Sequence, residues 1–191
     1  SLLIIMFKFL NWVIGKILNQ YYWSKISFSS WDGTSYIKGS VGVTIPRPDL
    51  VNIYDWKTTF IDPGTMIGPF VEIQKNVSIG RNCKISSHSF ICGHVNIGDN
   101  CFIGHGVKFI NDKLPKACSE DGSTKRDGDW EPIGTIIGDN VSIGTNATIM
   151  CGVFIGSNSI IGAGAVVTKS IPENQVWCGN PAKFLKKVSN L

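Results

Sequence analysis

From Ile61 onward an apolar residue falls on every sixth position: Ile61, Ile67, Ile73, Ile79, Ile85, Ile91, Ile97, Ile103 and Phe109. The same beat resumes as Ile137, Ile143, Ile149, Ile155, Ile161 and Val167, so thirteen of the fifteen positions are isoleucine. Two residues ahead of each stands a compact residue, as in Thr59, Thr65, Val71, Val77 and Cys83, or Thr135, Val141, Ala147, Val153 and Ser159. Side chains two apart on a strand share a face, so each pair points inward. Glycine follows eight of the fifteen large positions directly, where a bend without a Cβ is easily made. Short strand and corner therefore alternate, and three sides close one 18-residue coil, with neighbouring coils about 4.8 Å apart. Fifteen hexapeptides make five coils. The expectation is an all-β chain, a parallel β-helix.

The beat breaks once, between Phe109 and Ile137, where 28 residues stand in place of six. The middle of this segment is charged, contains glycine and has no period, so a loop over 111–134 must leave the prism. Loops of this length in a compact domain are usually functional or disordered, and a functional one is expected here. Three segments follow: 1–58, an N-terminal helix and irregular connector with a short strand near Ile37–Ile45; 59–178, the β-helix; and 179–191. In the last, Asn180-Pro181 reads as an N-cap with proline at the first helical position, and Phe184, Leu185, Val188 and Leu191 follow on one side. A short C-terminal helix is expected to plug the open end.

Composition narrows the partners. Charged residues are 17% and the net charge is +4, without a Lys/Arg block, which favours small anionic ligands over nucleic acid. The six cysteines form no CxxC pair and read as reduced thiols, consistent with a cytoplasmic setting. Residues 2–18 are largely apolar, and Lys8, Asn11, Gly15 and Asn19 recur at helical spacing as a polar stripe. No basic segment precedes them, so they read as a helix that packs on a core or touches a membrane surface peripherally rather than as a signal peptide.

The 18-residue coil locates the three histidines relative to one another. Residue 88 stacks beneath Gly106, so His88 and His105 share a corner, and Asn146 extends that column if the loop replaces no repeat. His94 lies at a different corner, stacked on Asp112 and next to Asn111 where the loop departs. A histidine–carboxylate pair there would orient the imidazole and raise its basicity.

The stretch SSHSFICGHVNIGDNCFIGHGVKFINDKLPKA at 86–117, with DGSTKRDGDWEP at 121–132, resembles the hexapeptide-repeat nucleotide-sugar N-acetyltransferases of bacterial type. The likeness runs from about Ile61 to Lys183. It implies a left-handed coil and a homotrimer with active sites at subunit interfaces. The implied reaction is acetyl transfer from acetyl-CoA to the amine of a UDP- or dTDP-linked 3-amino hexose, with no metal. Through it His88 and His105 become the candidate catalytic residues, and His94, Asn111, Asp112 and Asn146 the candidate acceptor contacts. IGAGAVVTK and GNPAK resemble the family's CoA segments, which marks Gly144, Gly162, Ala163, Gly164, Ala165, Lys169, Pro181 and Lys183 for the cofactor. Three rival readings share the scaffold: an O-acetyltransferase acting on a sugar or serine hydroxyl, a zinc hydrolyase, and a non-catalytic module.

Overall fold

The computed structural model describes residues 42–126 and 128–190; the N-terminal helix expected at 2–18 lies outside them. Each hexapeptide folds as a strand of two or three residues with its large apolar side chain inward, and those isoleucines are between 0% and 3% exposed. Burying one such side chain stabilises the fold by about 1.5–3 kcal/mol, and the stack repeats that gain at every side. Strands pair in parallel one coil apart, Phe60 with Ser78 and Lys84 with Phe102.

Three flat faces result. The first runs through Asn52–Ile53, Glu72–Ile73, Phe90–Ile91, Lys108–Phe109, Thr148–Ile149 and Val166–Val167. The second carries Phe60–Ile61, Ser78–Ile79, Val95–Ile97, Thr135–Ile137 and Phe154–Ile155. The third carries Met66–Ile67, Lys84–Ile85, Phe102–Ile103, Ser142–Ile143, Ile160–Ile161, Gln175–Cys178 and Lys183–Lys187. Because Lys108 pairs with Thr148 and Val95 with Thr135, the long loop leaves at one corner and returns to it without replacing a repeat.

The compact inward position has a second duty. It faces a corner carbonyl, and where it carries a polar hydrogen it donates: Thr65 to Gly80 at 2.8 Å, Ser89 to Gly104 at 3.0 Å, Ser159 to Pro172 at 2.9 Å. The thiols of Cys83 and Cys101 do the same to Gly98 and Gly138, both at 3.1 Å. Small polar residues are tolerated inside the prism because these bonds satisfy them.

Both ends differ from the sequence expectation. The connector joins the prism before residue 59: Val43, Ile45 and Ile53 are buried, Thr44 bridges Met66, and Asn52–Ile53 pairs with Glu72–Ile73. Each inward pair here is eight residues from the next rather than six, and those two extra residues per side hide the rungs from a sixfold count. The described residues of the 179–191 segment do not form the expected helix. Lys183–Lys187 is a strand antiparallel to Gln175–Cys178, followed by a single 3₁₀ turn at Val188–Asn190. Gln175–Cys178 would otherwise end the third face with a row of unpaired backbone groups, and pairing satisfies them where a helix would not. Trp177 and Ala182 join the core at this end, so the strand pair does the plugging. With rungs added at both ends, the prism is longer than five coils.

Candidate functional site

The prism has three corners. The one between the second and third faces is an asparagine ladder in which Asn82, Asn100, Asn140, Asn158 and Asn174 all have positive φ. Asparagine tolerates this left-handed conformation better than most residues, and its amide can bond the next rung.

The corner between the third and first faces holds a different column: Phe70, His88, Gly106, Asn146 and Gly164, again at positive φ. The backbone links its rungs, with Gly106 N donating to Ser87 O at 3.0 Å and Asn146 N to His105 O at 2.8 Å. His88, His105 and Asn146 thus share one edge, as the coil arithmetic expects. His105 Nδ1 lies 2.8 Å from the Ser87 hydroxyl one rung below. His88 lies flat against Phe70, ring centroids 4.8 Å apart and planes inclined by 15°, while Lys108 Nζ donates to the His88 carbonyl. Both histidines are exposed.

The same edge continues upward into the small-residue segment. Gly164 N bonds Thr145 O at 2.8 Å, and a Cβ built on Gly164 would meet nothing within 4 Å. Gly144 is held to glycine for a different reason: a Cβ there would lie 2.5 Å from Ala163 N. The two segments singled out for CoA adjoin in space, since Gly162 N bonds Trp177 O, Val166 N bonds Gly179 O and Ala182 N bonds Val166 O, at 2.8, 3.0 and 2.8 Å. Ala165 is buried below this surface, whereas Ala163 and Gly164 are exposed on it. Pro181 sits in an exposed turn and Lys183 begins the last strand, so neither belongs to a helix N-terminus. Lys169 lies over the Trp177 ring, Nζ 5.3 Å from its centroid.

At the third corner, between the first and second faces, the long loop departs. His94 and Asn111 line a groove of about 560 Å³ with Tyr54, Gln74, Asn76 and Trp130. His94 Nε2 stands 3.4 Å from the Asn76 amide nitrogen. The His94–Asp112 pair expected from the sequence does not form: Asp112 Oδ1 accepts the Leu114 N–H at 2.9 Å within its own loop. Gly134 occupies the place above His94, where Thr135 N bonds His94 O at 3.1 Å, because the chain re-enters the prism there. Ile133 N bonds Asn111 O at 2.9 Å and closes the loop's base.

The groove is rich in aromatic rings and amides. The Trp130 indole N–H is buried without a partner. The charge of neighbouring Glu72, and then its hydrogen bond, raise the Tyr54 phenol pKa, which keeps that hydroxyl protonated and able to donate. Burial pushes the Cys92 thiol, beneath the same corner, up to about 12. Sequence reasoning missed Tyr54, Trp130, Ser87 and Phe70. The last two stand 18 residues before His105 and His88, so the coil arithmetic could have found them; Tyr54 and Trp130 lie outside the sixfold beat.

Among the described residues no three His, Cys, Asp or Glu side chains gather as a metal site within the chain, and no helix is long and apolar enough to cross a membrane. The family described as bacterial transferase hexapeptide (six repeats) matches residues 58–93 and 134–169, and the hexapeptide repeat of succinyl-transferase matches 94–107. The bifunctional protein GlmU of Psychrobacter sp. (strain PRwf-1) is 36% identical over 128 residues, 67% of this chain and 24% of that protein. Gamma carbonic anhydrase 1, mitochondrial, of Arabidopsis thaliana is 30% identical over 160 residues, 74% of this chain and 54% of that one. A galactoside acetyltransferase solved in complex with coenzyme A superimposes with a TM-score of 0.53 at 29% identity, covering 76% of this chain and 66% of that one. The chain thus spans about a quarter of the length of the first of these relatives and about half of the second.

Proposed function

From a chain built on the hexapeptide repeat of bacterial transferases, we propose an acetyltransferase that moves the acetyl group of acetyl-CoA to the amine of a UDP- or dTDP-linked 3-amino sugar, in the cytoplasm. One observation carries this reading: His88, His105 and Asn146 share an edge that runs on into the flat surface of Ala163 and Gly164. A thin pantetheine arm laid along that surface would end beside the histidines. The coenzyme A complex of the galactoside acetyltransferase supports the choice of donor.

The acceptor amine attacks the thioester carbonyl, a C–N bond forms, the C–S bond breaks and the thiolate leaves with the electron pair. Holding two reactants in line supplies most of the rate. His88 accepts or steers the amine proton, and a backbone N–H of the corner stabilises the oxyanion. The groove of Tyr54, Gln74, Asn76, His94, Asn111 and Trp130 suits the acceptor, because aromatic rings and amides are the groups that stack on a sugar ring and bond its hydroxyls. Edge and groove sit at opposite ends of the first face, so a site using both needs one chain's edge to meet a neighbour's groove, as in a homotrimer.

Thiol release from acetyl-CoA, measured with matched amino and hydroxy hexoses on UDP and dTDP, tests this. Turnover with a 3-amino sugar is the expected result. Turnover with the hydroxy sugars alone would establish the O-acetyl reading, which requires a stronger general base because a neutral hydroxyl is a poor nucleophile.

A further inference from the structure

We infer that Phe70 is a positioning residue for His88, setting the plane in which the imidazole meets the acceptor; this rests on the reading that His88 works at the acceptor amine. Three observations carry it. First, Phe70 has φ 58°, a left-handed conformation costly for a bulky aromatic. Elsewhere among the described residues that conformation belongs to asparagine, glycine or the two corner histidines, His88 and His94. Second, the ring is not there to fill the core, since Phe70 remains 53% exposed. Third, it lies nearly parallel to the His88 imidazole, centroids 4.8 Å apart and inclined by 15°.

An aromatic residue thus stands where the fold itself would accept asparagine with less strain, and its ring contact is with a histidine one rung above. Strained backbone kept against the local preference marks functional positions. Stacking removes rotation about the imidazole's outer torsion while leaving both ring nitrogens free to meet a ligand. With Lys108 bonded to the His88 carbonyl from the rung above, backbone and ring of His88 are held from opposite sides. Phe70 acts through His88 and makes no chemical step of its own.

The test compares Phe70→Asn, Phe70→Trp, His88→Gly and the double variant Phe70→Asn/His88→Gly on the full chain. Phe70→Asn should melt no lower than the parent, bind CoA with unchanged Kd by calorimetry, and lose roughly 10- to 100-fold in kcat, the scale of a slightly misplaced group. Phe70→Trp should restore most of that rate. The double variant should be no slower than His88→Gly alone, because both changes remove one function. Full turnover in Phe70→Asn while His88→Gly is slow would overturn the role of Phe70 and leave that of His88 intact. A lower melting point in Phe70→Asn would overturn the strain argument. Full turnover in His88→Gly would remove the site reading and this inference with it.

Discussion

Two corners of one prism share a backbone conformation and diverge in what their side chains do. At the asparagine corner side chains bond along the ladder: Asn140 Nδ2 donates to Asn158 at 3.1 Å and Asn158 Nδ2 to Asn174 at 3.2 Å. One residue earlier in each turn, Arg81 N donates to Asp99 at 2.7 Å, Asp99 N to Asp139 at 2.8 Å and Asp139 N to Ser157 at 3.0 Å. At the histidine corner the column reads Phe70, His88, Gly106, Asn146, Gly164, no two successive rungs alike. A repeat can solve its corners with asparagine, so a corner that departs from that solution carries another demand.

Substituting one residue at each corner gives the largest expected effect. His88→Gly keeps the left-handed φ, since glycine stands at the equivalent places 106 and 164, and should lower kcat about 100-fold or more with little change in melting temperature. Asn140→Ala should do the reverse, leaving kcat unchanged and costing about 1–3 kcal/mol in chemical denaturation through its φ and its lost bond. If His88→Gly loses stability but not rate, the two corners are the same kind of object.

A sharper test asks whether the histidine edge and the loop groove serve one site. His88→Gly and Trp130→Ala, each slow alone, are denatured, mixed in equal amounts and refolded together. If edge and groove meet across subunits, about one site in four in random trimers has both parts intact and activity returns. Recovery no greater than the sum of the separate variants would dissociate the two.

The smallest effect is expected from Trp130→Phe, which keeps an aromatic, if smaller, ring and deletes an N–H that has no partner in the ligand-free chain. Removing a buried, unpaired donor should leave the melting point equal or slightly higher. If the acceptor satisfies that N–H when it binds, its KM should rise by about 2- to 10-fold, the worth of one ordinary hydrogen bond. Unchanged KM would take Trp130 out of acceptor recognition.

How far each region could be read follows from how its geometry is determined. The prism, its inward columns and the stacking of His88, Gly106 and Asn146 were legible because the uninterrupted coils repeat one local solution in which 18 residues return the chain to the same edge, and the loop is inserted without replacing a repeat. The rungs at Val43–Ile45 and Val51–Ile53 obey the same physics, yet two extra residues per side throw off the count. At the C-terminal end, Asn180-Pro181 and the apolar residues after it suit a helix locally, but the open edge of Gln175–Cys178 claims them as a strand.

What the sequence alone determined, then, is whatever is periodic: fold class, core, and the membership of each corner. Tertiary structure decided what is not periodic. It placed Gly134 rather than Asp112 over His94, turned the Asp112 carboxylate into its own loop, and brought Tyr54 and Trp130 to one groove from outside the sixfold beat. The reason is physical. A repeating strand is constrained by identical neighbours above and below, whereas a 22-residue excursion beyond one repeat satisfies its backbone wherever partners are found, and those partners exist only once the prism has formed.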